Sequence, residues 1–135
     1  MKQQIIHVVA GVISDSDGRI LACQRPEGKA LAGFWEFPGG KVEPGETLCA
    51  ALRRELAEEL ALEVVILDEM YQLSVVAPDN RKLVLHFIRA LLKSGSKPAS
   101  CEQQSFKWVE KSELEDVPWL ETDREFVDYL TQQIS

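Results

Sequence analysis

Glu55, Glu58 and Glu59 lie in the run GKVEPGETLCAALRRELAEELAL, from Gly40 to Leu62, and they are the residues of this chain best placed to do chemistry. A helix advances by about 100° per residue, so positions 58 and 59 fall within roughly 60° of position 55 and the three carboxylates leave from one face. Like charges at that spacing repel. Water relieves the repulsion if the face is simply solvated, which is the ordinary case for an isolated Glu-x-x-Glu-Glu. A hard divalent cation such as Mg²⁺ relieves it through oxygen ligands, and the face is then a metal site.

Several elements must position that face. Ile5 to Ile13 is rich in Val and Ile and reads as a strand, and Asp15-Ser16-Asp17-Gly18 supplies a turn before a second strand at Arg19 to Gln24, giving a hairpin. Pro26 to Gly33 reads as a loop, Phe34 to Phe37 as a short strand, and Pro38-Gly39-Gly40 as a sharp bend. Thr47 is the expected N-cap of a helix running to Leu60, whose Leu48, Leu52, Leu56 and Leu60 form a buried stripe beside the acidic face. Val64 to Val76 and Lys82 to Leu92 read as strands joined at Pro78-Asp79-Asn80. Ser94 to Ser100 is a polar loop, Phe106 to Val109 a short strand, and Thr122 to Ile134 a closing helix with Phe126, Val127, Leu130 and Ile134 inward. Strands on both sides of a central helix predict a mixed α/β sandwich.

With 135 residues and 45% apolar content the chain has the size and core of one domain, 1–135, and shows no repeat or low-complexity segment. A net charge of −7 argues against a nucleic-acid polymer as partner and makes an anionic small substrate dependent on a metal. Cys23, Cys49 and Cys101 lack the spacing of a zinc site and suggest buried thiols in a reducing cytoplasm. The apolar run Ile5 to Ile13 is broken by His7 and Gly11 and is too short to span a bilayer, so neither a signal peptide nor a membrane anchor is expected. His7 and His86 sit in apolar strand patterns and read as structural.

Gly40, five residues, Glu46, seven residues, Arg54-Glu55-Leu56, one residue, Glu58-Glu59, one residue, Ala61-Leu62 resembles the Nudix box of hydrolases acting on nucleoside diphosphate linkages. Every fixed position of that 23-residue pattern agrees except Ala61, which stands where the family has glycine. The flank Trp35-Glu36-Phe37-Pro38-Gly39-Gly40-Lys41 is similar to the approach to the box in MutT-type and CTP pyrophosphohydrolase-type members. The resemblance implies a Nudix α/β/α sandwich with a mixed sheet between helices. It also implies Mg²⁺-dependent hydrolysis, with Mn²⁺ as a substitute ion, of a nucleoside triphosphate to monophosphate and pyrophosphate. Beside these offsets the metal reading of the acidic face outweighs the solvated one.

Within that resemblance Glu55, Glu58 and Glu59 are the expected metal ligands, joined by the Gly39 carbonyl, while Glu46 and Arg54 brace the loop and helix around the reacting centre. A surface pair at Glu46 and Arg54 is the plainer alternative, worth at most about 1 kcal/mol. Glu102, in the loop pattern Glu-x-Gln, is the further carboxylate expected to bind metal or act as general base, or else a solvated loop residue. Ala61 either forces a different turn or costs on the order of 1 kcal/mol in the left-handed conformation.

Arg25 and Lys41 are the substrate contacts the resemblance adds, and Phe37 and the Ala77-Pro78 turn are candidates to border the base. Asp123 aligns with the base-reading position, where MutT has Asn and CTP pyrophosphohydrolase-type members have Asp. As an ionised acceptor it would favour an exocyclic amino group such as that of cytosine or adenine, and the competing reading is a cap of the last helix. A nucleotide-pool sanitising enzyme of cytosine-type or oxidised purine nucleotides, monomeric or homodimeric and cytoplasmic, is the expected function. Hydrolysis of ADP-ribose, dinucleoside polyphosphates or NADH competes with it. So does a non-catalytic Nudix-fold binding module, although that module would be expected to have a damaged acidic triplet. No SQPWPFPxS-like array follows the box, which weakens the NADH reading.

Overall fold

The structure, a computed structural model, describes residues 3–102 and 104–134. Its elements in chain order are β1 (Ile5–Ser14), β2 (Ile20–Gln24), β3 (Trp35–Glu36), β4 (Gly39–Lys41), α1 (Leu48–Leu60), β5 (Val64–Val76), β6 (Lys82–Leu92), β7 (Ser105–Val109) and α2 (Glu121–Ile134). A short 3₁₀ turn over Lys111–Asp116 has no counterpart in the sequence reading.

The strands form one mixed sheet in which β1 lies parallel to β6 while β6 and β5 run antiparallel, as do β2 and β3. The expected hairpin closes only at its turn, with Ser14 opposite Ile20 and Asp15 donating its N–H to the Arg19 carbonyl at 3.0 Å. Past that point the two strands part. β1 then pairs with β4, Val9 opposite Gly40 and Ala10 opposite Gly39, while β2 pairs with β7. Glycine is what lets β4 close on β1, because a Cβ on Gly39 would run into the Val9 carbonyl. The splayed hairpin opens the crevice that holds the site.

Side chains alternate across β1, so its two faces feed two cores. Val9 and Ile13 pack with Leu52, Leu56 and Leu60 of α1 and with Ile88 and Ala90 of β6. Ala10 and Val12 pack on the other face with Phe87, Trp119, Phe126, Val127 and Leu130 beneath α2. Leu52, Leu56 and Leu60 are each 0% exposed, and burial of each contributes roughly 1.5–3 kcal/mol. This is the α/β/α arrangement expected from the sequence, with the leucine stripe of α1 turned to the sheet. The Ile134 side chain lies outside the described residues. One expectation fails: only Cys23 is buried, while Cys49 on the outer side of α1 and Cys101 in a loop are exposed.

Candidate functional site

Thr47 caps α1 as expected, its hydroxyl accepting the Ala50 N–H at 3.1 Å from an extended backbone. The preceding turn is held from both ends. Glu46 accepts the Glu43 N–H at 3.0 Å and receives two bonds from Arg54, Nε to Oε2 at 2.8 Å and Nη2 to Oε1 at 2.9 Å. Arg54 also donates to Glu55 at 2.9 Å and to the Lys41 carbonyl at 3.0 Å, so a single guanidinium joins the turn, α1 and β4. Its hydrogen bonds hold the Glu46 carboxyl down at about 2, ahead of the Glu43 backbone bond. The brace expected for Arg54 and Glu46 is therefore present in side-chain geometry.

β4 passes directly under the acidic face. A Cβ on Gly40 would stand 2.5 Å from the Glu55 carboxyl carbon, so only glycine leaves that carboxylate its place. Burial, followed by a hydrogen bond and charge from Glu55 and then charge from Glu102 and Glu36, pushes the Glu59 carboxyl well above the ordinary carboxylate range. Glu102 reaches Glu59 because its loop is stitched to the end of α1. Ala99 N–H donates to Leu60 O at 2.8 Å, and Cys101 N–H to Glu59 O at 2.9 Å. Glu58 stands apart, its side chain 57% exposed beside Arg54 at 3.5 Å.

Glu59 and Glu102 line a pocket of about 420 Å³ with Gly39, Gly40, Lys41, Glu36, Arg25, Phe37 and Asp123, whereas Glu55 and Glu58 are not among its lining residues. The Asp123 wall is built by the chain returning beside β3. Trp35 N–H donates to Pro118 O at 2.9 Å and Leu120 N–H to Trp35 O at 2.8 Å, which carries Asp123 into the pocket wall. There Asp123 Oδ2 accepts the Phe37 N–H at 2.9 Å and Oδ1 accepts the Thr122 hydroxyl at 3.3 Å. Asp123 thus does not cap α2; its carboxyl joins the helix to the segment between β3 and β4. Burial raises that carboxyl to about 7, with the Phe37 N–H opposing the rise and Glu36 adding to it.

Phe37 lines the pocket but is only 4% exposed. Its ring stacks on Trp119 with centroids 4.6 Å apart and meets Phe126 edge-on at 5.3 Å, so its main-chain N–H on Asp123, rather than an open ring face, defines its place. The Ala77-Pro78 turn is not part of the pocket wall. Arg25 is fixed by Nε on Ala30 O at 2.7 Å and by its ion pair with Glu36 at 3.3 Å. Glu36 and Cys23 in the wall were not singled out from sequence. The signal for Glu36 was its place in a strand opposite the strand leading to Arg25.

A NUDIX domain family profile matches residues 6–130. The chain belongs to the Nudix hydrolase family. Among its relatives it is 37% identical over 115 residues to the 8-oxo-dGTP diphosphatase of Haemophilus influenzae, covering 85% of this chain and 83% of that one. It is 52% identical over 63 residues to the CTP pyrophosphohydrolase of Escherichia coli, covering 47% of this chain and 46% of that one. The solution structure of the E. coli ORF135 protein superimposes with a TM-score of 0.83 at 32% identity, covering 98% of this chain and 93% of that chain.

The departure of this Nudix chain from the family box is resolved by its backbone. Ala61 adopts the left-handed conformation, φ 51° and ψ 38°, and its N–H donates to Ala57 O at 3.1 Å while Leu62 N–H donates to Leu56 O at 3.2 Å. The turn that glycine favours is kept, and alanine carries its strain. Among the described residues no three imidazole, thiolate or carboxylate groups stand as a ready-made metal cage. The donor set nevertheless fits a hard cation. Glu55 and Glu59 are held against each other under the charge of Glu102 and Glu36, a conflict that a divalent ion bound through carboxylate oxygens would resolve. Among the described residues no helix is long and apolar enough to cross a membrane.

Proposed function

We propose that this Nudix hydrolase cleaves a nucleoside triphosphate to the monophosphate and pyrophosphate with Mg²⁺, acting on modified or unmodified nucleotides of the pool. The observation that carries the reading is a single pocket lined by the carboxylates Glu59 and Glu102 and also by the buried Asp123 carboxyl. Glu59 and Glu102 suit phosphate chemistry, and Asp123 suits a polar base edge.

Glu55, Glu59, Glu102 and the Gly39 carbonyl are the groups that would hold the ion, with Glu58 as an outer ligand. When bound, it neutralises phosphate oxygens and lowers the pKa of a coordinated water. Arg54 keeps Glu55 and the β4 main chain in place, which is where orientation of the reacting groups is gained. Lys41 and Arg25, both in the pocket wall, supply positive charge to the polyphosphate. Glu102, exposed on its loop, either joins those ligands or takes the proton from the attacking water.

At Asp123 a carboxyl near 7 interconverts between a donor and an acceptor around neutral pH. The ionised form accepts from an amino group; the protonated form donates to a carbonyl. This supports the names of both relatives, 8-oxo-dGTP diphosphatase and CTP pyrophosphohydrolase, as guides to substrate. The test is a screen of unmodified, oxidised and methylated nucleoside triphosphates with Mg²⁺, following pyrophosphate and monophosphate. Equimolar release of those two products from at least one triphosphate is expected. Turnover confined to ADP-ribose or dinucleoside polyphosphates would overturn the reading.

A further inference from the structure

The chain has two histidines, and the fold brings them together from positions 79 residues apart. His7 of β1 and His86 of β6 lie on neighbouring parallel strands, with Nδ1 of His7 2.9 Å from Nε2 of His86. Their rings are inclined by 28° with centroids 5.2 Å apart, a separation that exceeds the N···N distance by about two ring radii. The contact therefore runs edge to edge, with the ring nitrogens facing one another. On the far side of His86, Nδ1 is 3.1 Å from Glu69 Oε2 of β5.

That carboxylate sets the tautomer. A proton on His86 Nδ1 is donated to Glu69, so His86 Nε2 presents a lone pair toward His7. A carboxylate behind an imidazole whose other nitrogen is directed outward is the arrangement that orients metal-ligating histidines. His86 is buried at 6% exposure, so its ring is fixed, whereas His7 is exposed and its ring can turn. Two nitrogens bound at about 2.1 Å to one ion stand roughly 3 to 3.4 Å apart with the ion off the line between them, so the exposed His7 ring must swing out of its head-on contact with His86.

We infer that His7 and His86 form a surface site for a borderline divalent transition metal such as Zn²⁺, Ni²⁺ or Cu²⁺, backed by Glu69. Binding moves the His7 proton from Nδ1 to the solvent-facing Nε2, frees both facing lone pairs for the ion, and leaves water in its remaining positions. Neutral imidazoles select these ions over Mg²⁺, which keeps to oxygen ligands. The site is thus distinct in chemistry from the carboxylates of the pocket.

Titration of the Mg²⁺-saturated protein with Zn²⁺, following both histidine rings by nitrogen-resolved NMR, tests this with only two rings to assign. Both rings are expected to shift together and saturate with one ion. His7→Ala, at an exposed position, should weaken that binding at least tenfold, and Glu69→Gln by about 10–100-fold through loss of the tautomer lock. Unmoved ring signals during Zn²⁺ uptake, or equal affinity in His7→Ala, would overturn the assignment.

Discussion

Arg54 holds both oxygens of Glu46, through Nε at 2.8 Å and Nη2 at 2.9 Å, and with the same guanidinium reaches Glu55 at 2.9 Å. The turn before α1 and the acidic face of α1 are therefore fixed to one planar group. Arg54→Lys keeps the charge but cannot reproduce the fork. The expected outcome is a drop in kcat on the order of 10² with the far-ultraviolet circular dichroism unchanged, since small displacements of reacting groups cost that much. A kcat within twofold of the parent would show the brace to be dispensable.

Gly40→Ala places a methyl 2.5 Å from the Glu55 carboxyl carbon. The Glu55 side chain must swing away, because the β4 main chain is pinned to β1 by the Val9–Gly40 pairing. Loss of Mg²⁺-dependent turnover is expected while thermal unfolding stays cooperative. Gly39→Ala is expected to be worse for the fold itself, because its Cβ would meet the Val9 carbonyl in the backbone of β1.

Ala61→Gly should stabilise the protein. The residue is already left-handed at φ 51°, where glycine has no Cβ penalty, so a gain of about 1 kcal/mol is expected. Thermal unfolding should shift upward by a few degrees, roughly as the size of the chain dictates. No shift, or a downward one, would mean that alanine is not strained there.

These outcomes also mark what the sequence could say. Thr47 and the Leu48, Leu52, Leu56, Leu60 repeat give α1 to the residue, because capping and helical periodicity are local. Glu102 was legible as a loop carboxylate, but its place beside Glu59 depends on the Ala99 and Cys101 bonds to the end of α1. The parallel pairing of β1 with β6 is non-local and leaves no local trace, so His7 and His86 read as separate structural residues. For Asp123 a cap follows from its place at the start of α2 and base reading from the family resemblance; its bond to Phe37, 86 positions away in sequence, is tertiary. The 3₁₀ turn at Lys111–Asp116 is too short to show a period.

Asp123 gives a pH signature. Its folded carboxyl titrates near 7 against 3.8 for the ordinary group, so the folded state binds its proton more tightly than the unfolded chain. Its contribution is fully present below pH 3.8 and declines as pH rises through 7, a loss on the order of a few kcal/mol for this buried group. Asp123→Asn keeps an acceptor for the Phe37 N–H and removes the titration. Urea unfolding should find the variant more stable than the parent at pH 8 and no more stable at pH 4; a constant difference across that range would contradict the burial cost. The same variant should alter the relative rates on cytosine-type and guanine-type triphosphates, and an unchanged profile would remove Asp123 from base reading.

The most direct test of the account is pyrophosphate release from the best triphosphate as Mg²⁺ is titrated, in the parent and in Glu59→Gln. Glu59 lines the pocket with Glu102 and is hydrogen-bonded to Glu55, and a neutral amide is a weak Mg²⁺ ligand. Saturable Mg²⁺ dependence is expected in the parent and a loss of several orders of magnitude in the variant, with its thermal unfolding intact. Release that is undiminished in Glu59→Gln, or independent of Mg²⁺ in the parent, would contradict it.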